Sequence, residues 1–273
     1  MANDALIQTA AAPLWKEPKK GAERVDEALC GVSVEILESS GIYRRVRTCY
    51  GYEGWAEEPA LFPLASLEAW KAAPKALVRA PFADVQAEPS VQASAVCTLP
   101  RGALVQLDAP AGTGKWSRVL LPNGVPGFLP ASALTRPHSG MGRRSQARFR
   151  CDVVRAACSY LGAPYRWGGM TPAGIDCSGL CFMAYALNGV CIFRDAHLEP
   201  GYAIQKIPYR LVRPGDLLYF PGHVAMFIGN GRYIHATAGN GCHDVVVNSL
   251  DPRSPQYRAD LPPKLLATGS LFP

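Results

Sequence analysis

The chain has 273 residues, of which 48% are hydrophobic and 18% charged, a composition typical of a globular protein with two or three domains. Its formal net charge of +6 is scattered, apart from a short arginine cluster at 143–150, and no basic strip is interleaved with aromatic residues. Nucleic-acid binding is therefore not indicated. No run approaches the roughly 18 apolar residues that span a bilayer, so we expect no contact with a membrane.

The N-terminal residues and the cysteines both indicate the cellular compartment of the protein. Residues 1–13 contain no Lys or Arg and no apolar stretch of signal-peptide length, which predicts a cytoplasmic protein. The nine cysteines are odd in number, irregularly spaced and without a CxxC pair. We therefore expect reduced thiols, with neither a disulfide framework nor a metal site, and nothing indicates a cofactor.

A degenerate repeat fills the first half of the chain. Short alternating segments separated by Gly, Pro and Asn turns occur twice, at 29–37, 42–47, 52–56 and 60–61, and again at 99–107, 115–120, 125–129 and 133–134. This pattern predicts two small β-barrels. The Ala-rich stretch 64–76 is expected to be a short helical linker between them, and the turn-rich stretch 136–142 indicates a domain boundary.

The second half has the order of an α+β domain. A helix is predicted over about 145–161, and a second helix follows Asp176 and stops at Asn188-Gly189. The second helix is indicated by apolar residues at i, i+3, i+4 and i+7, namely Leu180, Met183, Ala184 and Leu187. After a long loop with some helix at 193–210, strands are predicted at 217–220, 223–228, 233–236 and 244–248.

Cys177 lies in the first turn of the second predicted helix. Asp176 is a suitable N-cap, and the free N–H groups and positive dipole end there predict a lowered thiol pKa. Gly179 is expected to leave room above the sulfur for a substrate backbone. The alternative is that Cys177 is an ordinary buried cysteine. A cysteine nucleophile also needs a base and a group that orients the base, which directs attention to the histidines.

His223 and His235 flank the predicted hairpin turn at Asn230-Gly231. A regular two-residue turn would pair Met226 with His235 and place the two histidines on opposite faces of the sheet. A three-residue loop or an equivalent bulge would instead pair Ala225 with His235, which places both histidines on one face. We therefore predict an odd loop or a bulge in this hairpin.

Five motifs occur in order between residues 145 and 260: YxWGG at 165–169, DCSG at 176–179, PGDLxxF at 214–220, HVxxxIG at 223–229 and IHA at 234–236. Together they resemble the NlpC-type cysteine peptidases. The resemblance implies that Cys177 is the nucleophile, that His223 is the base, and that His235 orients His223.

The same resemblance implies several substrate-binding residues. Tyr165 matches a tyrosine whose hydroxyl lies beside the nucleophile, and Asp176 and Ser178 match positions that line the substrate groove. Asp195 matches the aspartate of an RDS motif that helps to bind a substrate amine. Ala196 replaces the serine of that motif here, so one substrate hydrogen bond is expected to be missing.

The repeat at about residues 8–136 resembles the bacterial SH3-like domain. The expected organisation is thus a first SH3-like domain at 1–66, a linker and second SH3-like domain at 67–137, and a papain-like NlpC-type peptidase domain at 138–273. This arrangement resembles a cytoplasmic branch of the family that takes part in cell-wall peptide recycling. Those enzymes hydrolyse the bond between γ-D-glutamate and lysine or diaminopimelate in murein-derived peptides with a free N-terminal L-Ala.

Within the first barrel, Tyr52 and Glu17 are placed at the substrate amine by resemblance, with a barrel tyrosine and a surface glutamate as the alternative. Two other functions compete with the peptidase. One is a non-catalytic scaffold that binds peptide or wall fragments, and the other is acyl transfer by the same thiol chemistry. Retention of all three catalytic residue types argues against the scaffold, and the lack of a membrane anchor argues against acyl transfer to lipids. The oligomeric state is left open.

Overall fold

A computed structural model describes residues 3–64, 67–108 and 114–273. The chain divides into two compact units, residues 1–137 (unit 1) and 138–273 (unit 2). Two positions of the expected helical linker, 65 and 66, lie outside the described residues. In the described part of the chain, no helix is both long enough and apolar enough to cross a membrane.

The first sheet of unit 1 is antiparallel and has the order β3-β2-β6-β5-β4-β1-β7. Its strands are β1 (Asp4–Ile7), β2 (Ala11–Trp15), β3 (Arg24–Leu29), β4 (Ser33–Ser40), β5 (Tyr43–Thr48), β6 (Glu53–Glu57) and β7 (Leu61–Pro63). Alternate residues such as Ala12 and Leu14 of β2 are buried, as expected for strands with one face on a core.

The second sheet follows a short helix, α1 (Leu67–Ala72). Its strands are β8 (Lys75–Val78), β9 (Phe82–Gln86), β10 (Ala95–Pro100), β11 (Leu104–Leu107), β12 (Trp116–Leu120), β13 (Pro126–Pro130) and β14 (Leu134–Thr135). Their order, β10-β9-β13-β12-β11-β8-β14, is that of the first sheet with seven added to each number. A 3-10 turn precedes the last strand in both copies, at Glu58–Ala60 and Ala131–Ala133.

The predicted repeat is therefore confirmed at the level of strand order. Barrel closure is not observed, because within the described ranges no ladder joins β3 to β7 or β10 to β14. Each sheet has its own buried apolar cluster, around Leu14 and Val46 in the first and around Val85 and Leu129 in the second.

Unit 2 combines two helices with a six-stranded antiparallel sheet of order β17-β22-β18-β19-β20-β21. Its elements are α2 (Gln146–Cys158), β15 (Met170–Thr171), β16 (Gly174–Ile175), α3 (Cys177–Ala186), β17 (Gln205–Ile207), β18 (Leu217–Phe220), β19 (His223–Gly229), β20 (Arg232–Thr237), β21 (Asp244–Ser249) and β22 (Ala267–Ser270), with 3-10 turns at Tyr209–Leu211 and Pro262–Lys264. The predicted helices and the strands β18–β21 are confirmed. The prediction missed β15, β16, β17 and β22, which are short and lack an alternating apolar pattern.

The two helices of unit 2 pack together beneath the sheet. Ser145 caps α2 by accepting a hydrogen bond from the Arg148 N–H, and the aromatic rings of Phe149 and Tyr185 have centroids 6.2 Å apart. Residues 177–185 of α3 are all buried, as expected of a helix that is apolar on every side. The first turn of α3 is thereby held inside the unit, next to β19.

Candidate active site

The Cys177 thiol lies at the N-terminus of α3, and the residue is only 5% exposed. Backbone N–H groups of Val224, in β19, and of Ser178 donate towards the sulfur. Burial, followed by the negative charge of Asp176, nevertheless raises the thiol pKa to about 11. The predicted lowering of this pKa is therefore wrong, and the resting thiol is neutral.

The reason lies in the helix cap. The Asp176 carboxylate accepts a hydrogen bond from the Gly179 N–H at 2.6 Å, which confirms Asp176 as the N-cap. The positive end of the α3 dipole therefore stabilises the Asp176 carboxylate. This carboxylate also places a negative charge beside the sulfur, which disfavours a thiolate. Burial removes the water that would otherwise solvate a thiolate.

Asp176 also binds a buried arginine. Arg194 is 2% exposed, and its two terminal nitrogens donate to the two Asp176 carboxylate oxygens at 3.0 and 3.1 Å. The same guanidinium donates to Ser178 Oγ at 2.8 Å, and the Gly168 N–H donates to Asp176 at 2.8 Å. Asp176 and Ser178 thus belong to one hydrogen-bonded network that connects the helix cap to the segment before β15 and to Arg194.

Gly179 has a different role from the one predicted. A side-chain carbon at this position would overlap the carbonyl oxygen of Gly169 and lie 3.0 Å from Asp176 Oδ1. The space beside Gly179 is therefore occupied by the protein's own backbone rather than left for a substrate. Glycine is needed here because the 165–169 segment packs directly against the first turn of α3.

The hairpin of β19 and β20 contains the predicted bulge. Met226 is opposite Ile234 and Phe227 is opposite Tyr233, but the ladder shifts by one residue before Gly229 pairs with Arg232. In this register position 225 is opposite His235, so His223 lies on the same face of the sheet as His235. The prediction of an odd loop or an equivalent bulge is confirmed.

The two histidines form a chain with a third residue. His223 Nε2 and His235 Nδ1 are 2.8 Å apart, and His235 Nε2 is 2.8 Å from Asn248 Oδ1 in β21. Burial and the neighbouring His235 lower the pKa of His223 to about 3. Burial likewise lowers the pKa of His235 to about 4, although the Asn248 hydrogen bond acts in the opposite direction. Both imidazoles are therefore neutral at pH 7.

The remaining predicted residues of unit 2 lie close to this site. Tyr165 is half-buried, and its backbone N–H donates to the His243 carbonyl at 2.7 Å. Burial and the nearby Cys177 and Asp176 raise the pKa of the Tyr165 hydroxyl. Asp195 is half-buried and directly follows Arg194. In the described ranges, no group of three or more His, Cys, Asp or Glu side chains is arranged to hold a metal ion.

The residues predicted in unit 1 are described within that unit. Tyr52 is half-buried in the turn before β6, where its backbone N–H donates to Thr48 Oγ1 at 3.0 Å. Glu17 follows β2, is exposed, and pairs with Lys19 at 2.7 Å, which lowers the pKa of its carboxyl. Elsewhere in the unit, the Tyr50 hydroxyl donates to the fully buried Asp26 at 2.6 Å.

Sequence reasoning gave no role to Arg194 or Asn248. The signal for Arg194 was its place in the RDA tripeptide 194–196, which marks the residue but does not identify Asp176 as its partner. The signal for Asn248 was weaker, because it required the register of β20 on β21, in which Tyr233 is opposite Asn248.

A neutral thiol at the start of a buried helix, held against a β-hairpin that carries a hydrogen-bonded histidine pair, defines unit 2 as the catalytic part of a cysteine peptidase. Residues 162–259 match the NlpC/P60 family. Together with the similarity of the whole chain to a known peptidase, this match shows that the chain belongs to the NlpC/P60 family, and unit 2 has its papain-like fold.

Relatives extend the similarity beyond the catalytic unit. The chain is 42% identical to dipeptidyl-peptidase 6 of Lysinibacillus sphaericus, in an alignment that covers 98% of this chain and all of that protein. It is 29% identical to a γ-D-glutamyl-L-lysine dipeptidyl-peptidase of Bacillus cereus, over 77% of this chain and 66% of the relative. A crystal structure of an NlpC/P60 family protein from Bacillus cereus superposes with a TM-score of 0.82 at 23% identity, covering 99% of this chain and all of the other, which shows a shared fold.

Proposed function

We propose that the protein is an endopeptidase that hydrolyses the bond between γ-D-glutamate and lysine or diaminopimelate in murein-derived peptides. One observation carries this proposal: the 42% identity with dipeptidyl-peptidase 6 runs through both units, and the Cys177 and histidine arrangement falls within the aligned chain. Since unit 1 is included in the similarity, the proposal applies to the chain as a whole.

The reaction begins with attack of Cys177 Sγ on the γ-carbonyl carbon of the glutamyl residue. Because the resting thiol is neutral, its proton passes to His223 as the carbon–sulfur bond forms. The resulting oxyanion is stabilised by donors that include the Cys177 backbone N–H. His223 then protonates the leaving amine of the diamino acid, and a water molecule deprotonated by His223 hydrolyses the thioester. His235 holds the His223 ring in orientation throughout.

Four residues of unit 2 form the substrate groove in this proposal: Tyr165, Asp176, Ser178 and Asp195. Tyr165 supplies a hydroxyl near the sulfur, and the Asp195 carboxylate suits a substrate ammonium group. Tyr165 lies near enough to Cys177 for the charges of the two groups to interact. Asp176 and Ser178 are engaged with Arg194, so their contribution is to give the groove a fixed shape.

In unit 1, we assign the two repeated sheets to the SH3-like class and assign Tyr52 and Glu17 to recognition of a free N-terminal L-Ala. The matching strand orders support the first assignment. For the second, Glu17 carries the negative charge that an ammonium group requires, although Lys19 competes for it. A preference for free amines would place the enzyme after release of the peptide from its sugar, in cytoplasmic recycling.

Hydrolysis of L-Ala-γ-D-Glu-diaminopimelate and of its lysine counterpart, each with a free or an acetylated N-terminus, tests the proposal. We expect the wild type to cleave the free-amine peptides, Cys177→Ala to be inactive, and the matched control Cys151→Ala, an exposed cysteine on α2, to remain active. Equal cleavage of acetylated peptides would contradict the recycling role. Binding without cleavage by the wild type would favour the scaffold function instead.

Variants of unit 1 test the recognition of the amine. Tyr52→Phe and Glu17→Gln should raise KM for free-amine peptides without changing kcat. Glu23→Gln is a matched control, since it removes another exposed carboxylate that pairs with a lysine of the same unit. If all three variants behave alike, Tyr52 and Glu17 have no part in substrate binding.

A further inference from the structure

Asn248 lies on β21 directly opposite Tyr233 and diagonally opposite His235. Its side chain contacts His235, with Oδ1 2.8 Å from Nε2, the ring nitrogen that does not face His223. The triad of Cys177, His223 and His235 does not account for this contact. The question is what a neutral amide at this position does to the protons of the two imidazoles.

The orientation of the Asn248 amide is determined by its other contact. Asn248 Nδ2 donates to the Gln256 carbonyl oxygen at 2.9 Å, and the Ser249 N–H donates to the same oxygen at 3.0 Å. A carbonyl oxygen only accepts hydrogen bonds, so the NH₂ end of the amide must face Gln256. The oxygen end therefore faces His235, and it can only accept.

This orientation determines the tautomers of both histidines. His235 must carry its proton on Nε2 to donate to Asn248, which leaves the lone pair of a neutral ring on Nδ1. His235 Nδ1 then accepts from His223 Nε2, 2.8 Å away, so His223 carries its proton on Nε2. The lone pair of His223 is thereby on Nδ1, the ring nitrogen left to take the thiol proton.

We propose that Asn248 is a positioning residue that holds His235 and His223 in the Nε2–H tautomers and so keeps His223 Nδ1 free to act as the base. For its kinetic consequences, this inference rests on the proposed peptidase function. When His223 accepts the Cys177 proton on Nδ1, it still donates from Nε2 to His235, and the Asn248 oxygen keeps the His235 proton on Nε2. Each ring therefore retains its hydrogen bonds throughout proton transfer.

Other groups near His235 do not select this tautomer. The Tyr233 ring lies edge-on to the imidazole with centroids 5.1 Å apart, and it offers no hydrogen bond to a ring nitrogen in that arrangement. Arg258 and Asp260 act on His235 only through their charges, in opposite directions, and are hydrogen-bonded to each other at 2.6 and 2.9 Å. Among the described residues, His223 is the other titratable group in contact with His235. The choice of tautomer therefore depends on Asn248.

The first experiment observes the protons directly. Long-range ¹H–¹⁵N spectra of the free wild-type protein distinguish protonated from unprotonated imidazole nitrogens. We expect both His223 and His235 to be protonated on Nε2, and we expect mixed tautomers in Asn248→Ala. A wild-type His235 protonated on Nδ1 would overturn the proposal. Because no substrate is present, this result does not depend on which peptide the enzyme cleaves.

The second experiment compares the pH profiles of Asn248→Ala and Asn248→Asp. In Asn248→Ala, kcat should fall about 10- to 100-fold at every pH with little change in KM, as when other histidine-orienting partners are removed. In Asn248→Asp, the carboxylate favours a doubly protonated His235, which can no longer accept from His223. The acid limb of kcat/KM should then move to higher pH, and kcat should recover at alkaline pH.

Asn188→Asp provides the matched control. Asn188 is another asparagine of unit 2 whose amide donates to a backbone carbonyl, that of Ala184. It is buried whereas Asn248 is half-buried, and within the described residues no hydrogen bond joins it to His223 or His235. The acid limb of kcat/KM for Asn188→Asp should coincide with that of the wild type. If Asn248 has a merely structural role, the acid limb of kcat/KM should be the same in Asn248→Asp and Asn188→Asp. That result would overturn the proposal. If the wild type cleaves none of the peptides, the peptidase assignment fails while the tautomer spectra still decide the role of Asn248.

Discussion

The two sides of the active site are organised by different physical means. On the thiol side, the N-terminus of α3 is held by a buried charged pair, Asp176 and Arg194, with two bonds of 3.0 and 3.1 Å. On the histidine side, β19, β20 and β21 contribute a chain of neutral groups, His223, His235 and Asn248, joined by contacts of 2.8 Å. An ion pair fixes the thiol side, whereas the directions of hydrogen bonds between neutral groups fix the histidine side.

The difference explains the resting state of the site. The negative charge beside the thiol and its burial favour the protonated sulfur, and burial favours neutral imidazoles. Neither side therefore provides a preformed thiolate and imidazolium. In the proposed reaction, the charges therefore separate when the thiol proton passes to His223.

The largest expected effect concerns the protonation state of the thiol. Because the pKa of Cys177 is raised to about 11, its alkylation by iodoacetamide should be slow at neutral pH and rise about tenfold per pH unit up to about pH 9. Mass spectrometry of the peptide that contains Cys177 measures the rate, with the exposed Cys151 as an internal reference. A rate that reaches a plateau below about pH 7 would show a preformed thiolate and contradict a protonated resting thiol.

Removing the cation on the thiol side should destabilise unit 2 strongly. Arg194→Met leaves the Asp176 carboxylate buried without its partner, at a cost of about 3–5 kcal/mol in the free energy of unfolding. Arg194→Lys should cost less, since an ammonium group retains the charge but not the two parallel hydrogen bonds. Denaturant unfolding measures both changes.

Arg155→Met is the control for this experiment. Its pair with Asp152 is on the surface, where the arginine side chain is 70% exposed, and its loss should change stability by at most about 0.5 kcal/mol. Equal effects of Arg194→Met and Arg155→Met would mean that the buried pair does not organise the thiol side.

The lowered pKa of His235 should make the free energy of unfolding depend on pH. The folded-state pKa of His235 is about 4, against an ordinary value of 6.5, so the unfolded chain binds more protons between these values. Stability should therefore decrease as pH falls from about 6.5 to about 4 and level off below that, with roughly 3 kcal/mol arising from this shift.

Thermal unfolding of His235→Gln and His197→Gln across this pH range measures the contribution. His235→Gln should flatten the slope, because glutamine does not titrate. His197→Gln should leave the slope unchanged, since His197 is an exposed residue paired with Glu199. An identical slope in the wild type and in His235→Gln would indicate that His235 is not held neutral in the folded protein.

Several features of the site could be predicted from the sequence because they depend on neighbouring residues. Asp176 capping α3 and the end of that helix before Gly189 are local signals. The bulge between Phe227 and Gly229 followed from turn length and the requirement that two histidines share a face. The repeat in unit 1 followed from its spacing, although spacing alone does not decide whether a sheet closes into a barrel.

The features that could not be predicted depend on residues far apart in the chain. Arg194 meets Asp176 across 18 residues, and Asn248 meets His235 across 13, so neither contact has a local signature. The lowered thiol pKa was a reasonable expectation for a helix N-terminus, but it was wrong because burial and the Asp176 charge outweigh the backbone hydrogen bonds and the Arg194 charge at the sulfur.

The sequence by itself therefore determined which residues are present at the site and on which elements they lie, because caps, turns and periodicities are encoded over a few residues. Only the tertiary structure decided how the thiol and the imidazoles are protonated and what orients them. Protonation depends on the water removed and on the charges and hydrogen-bonding groups brought near, and these are set when Arg194, β19 and β21 pack around Cys177 and the two histidines.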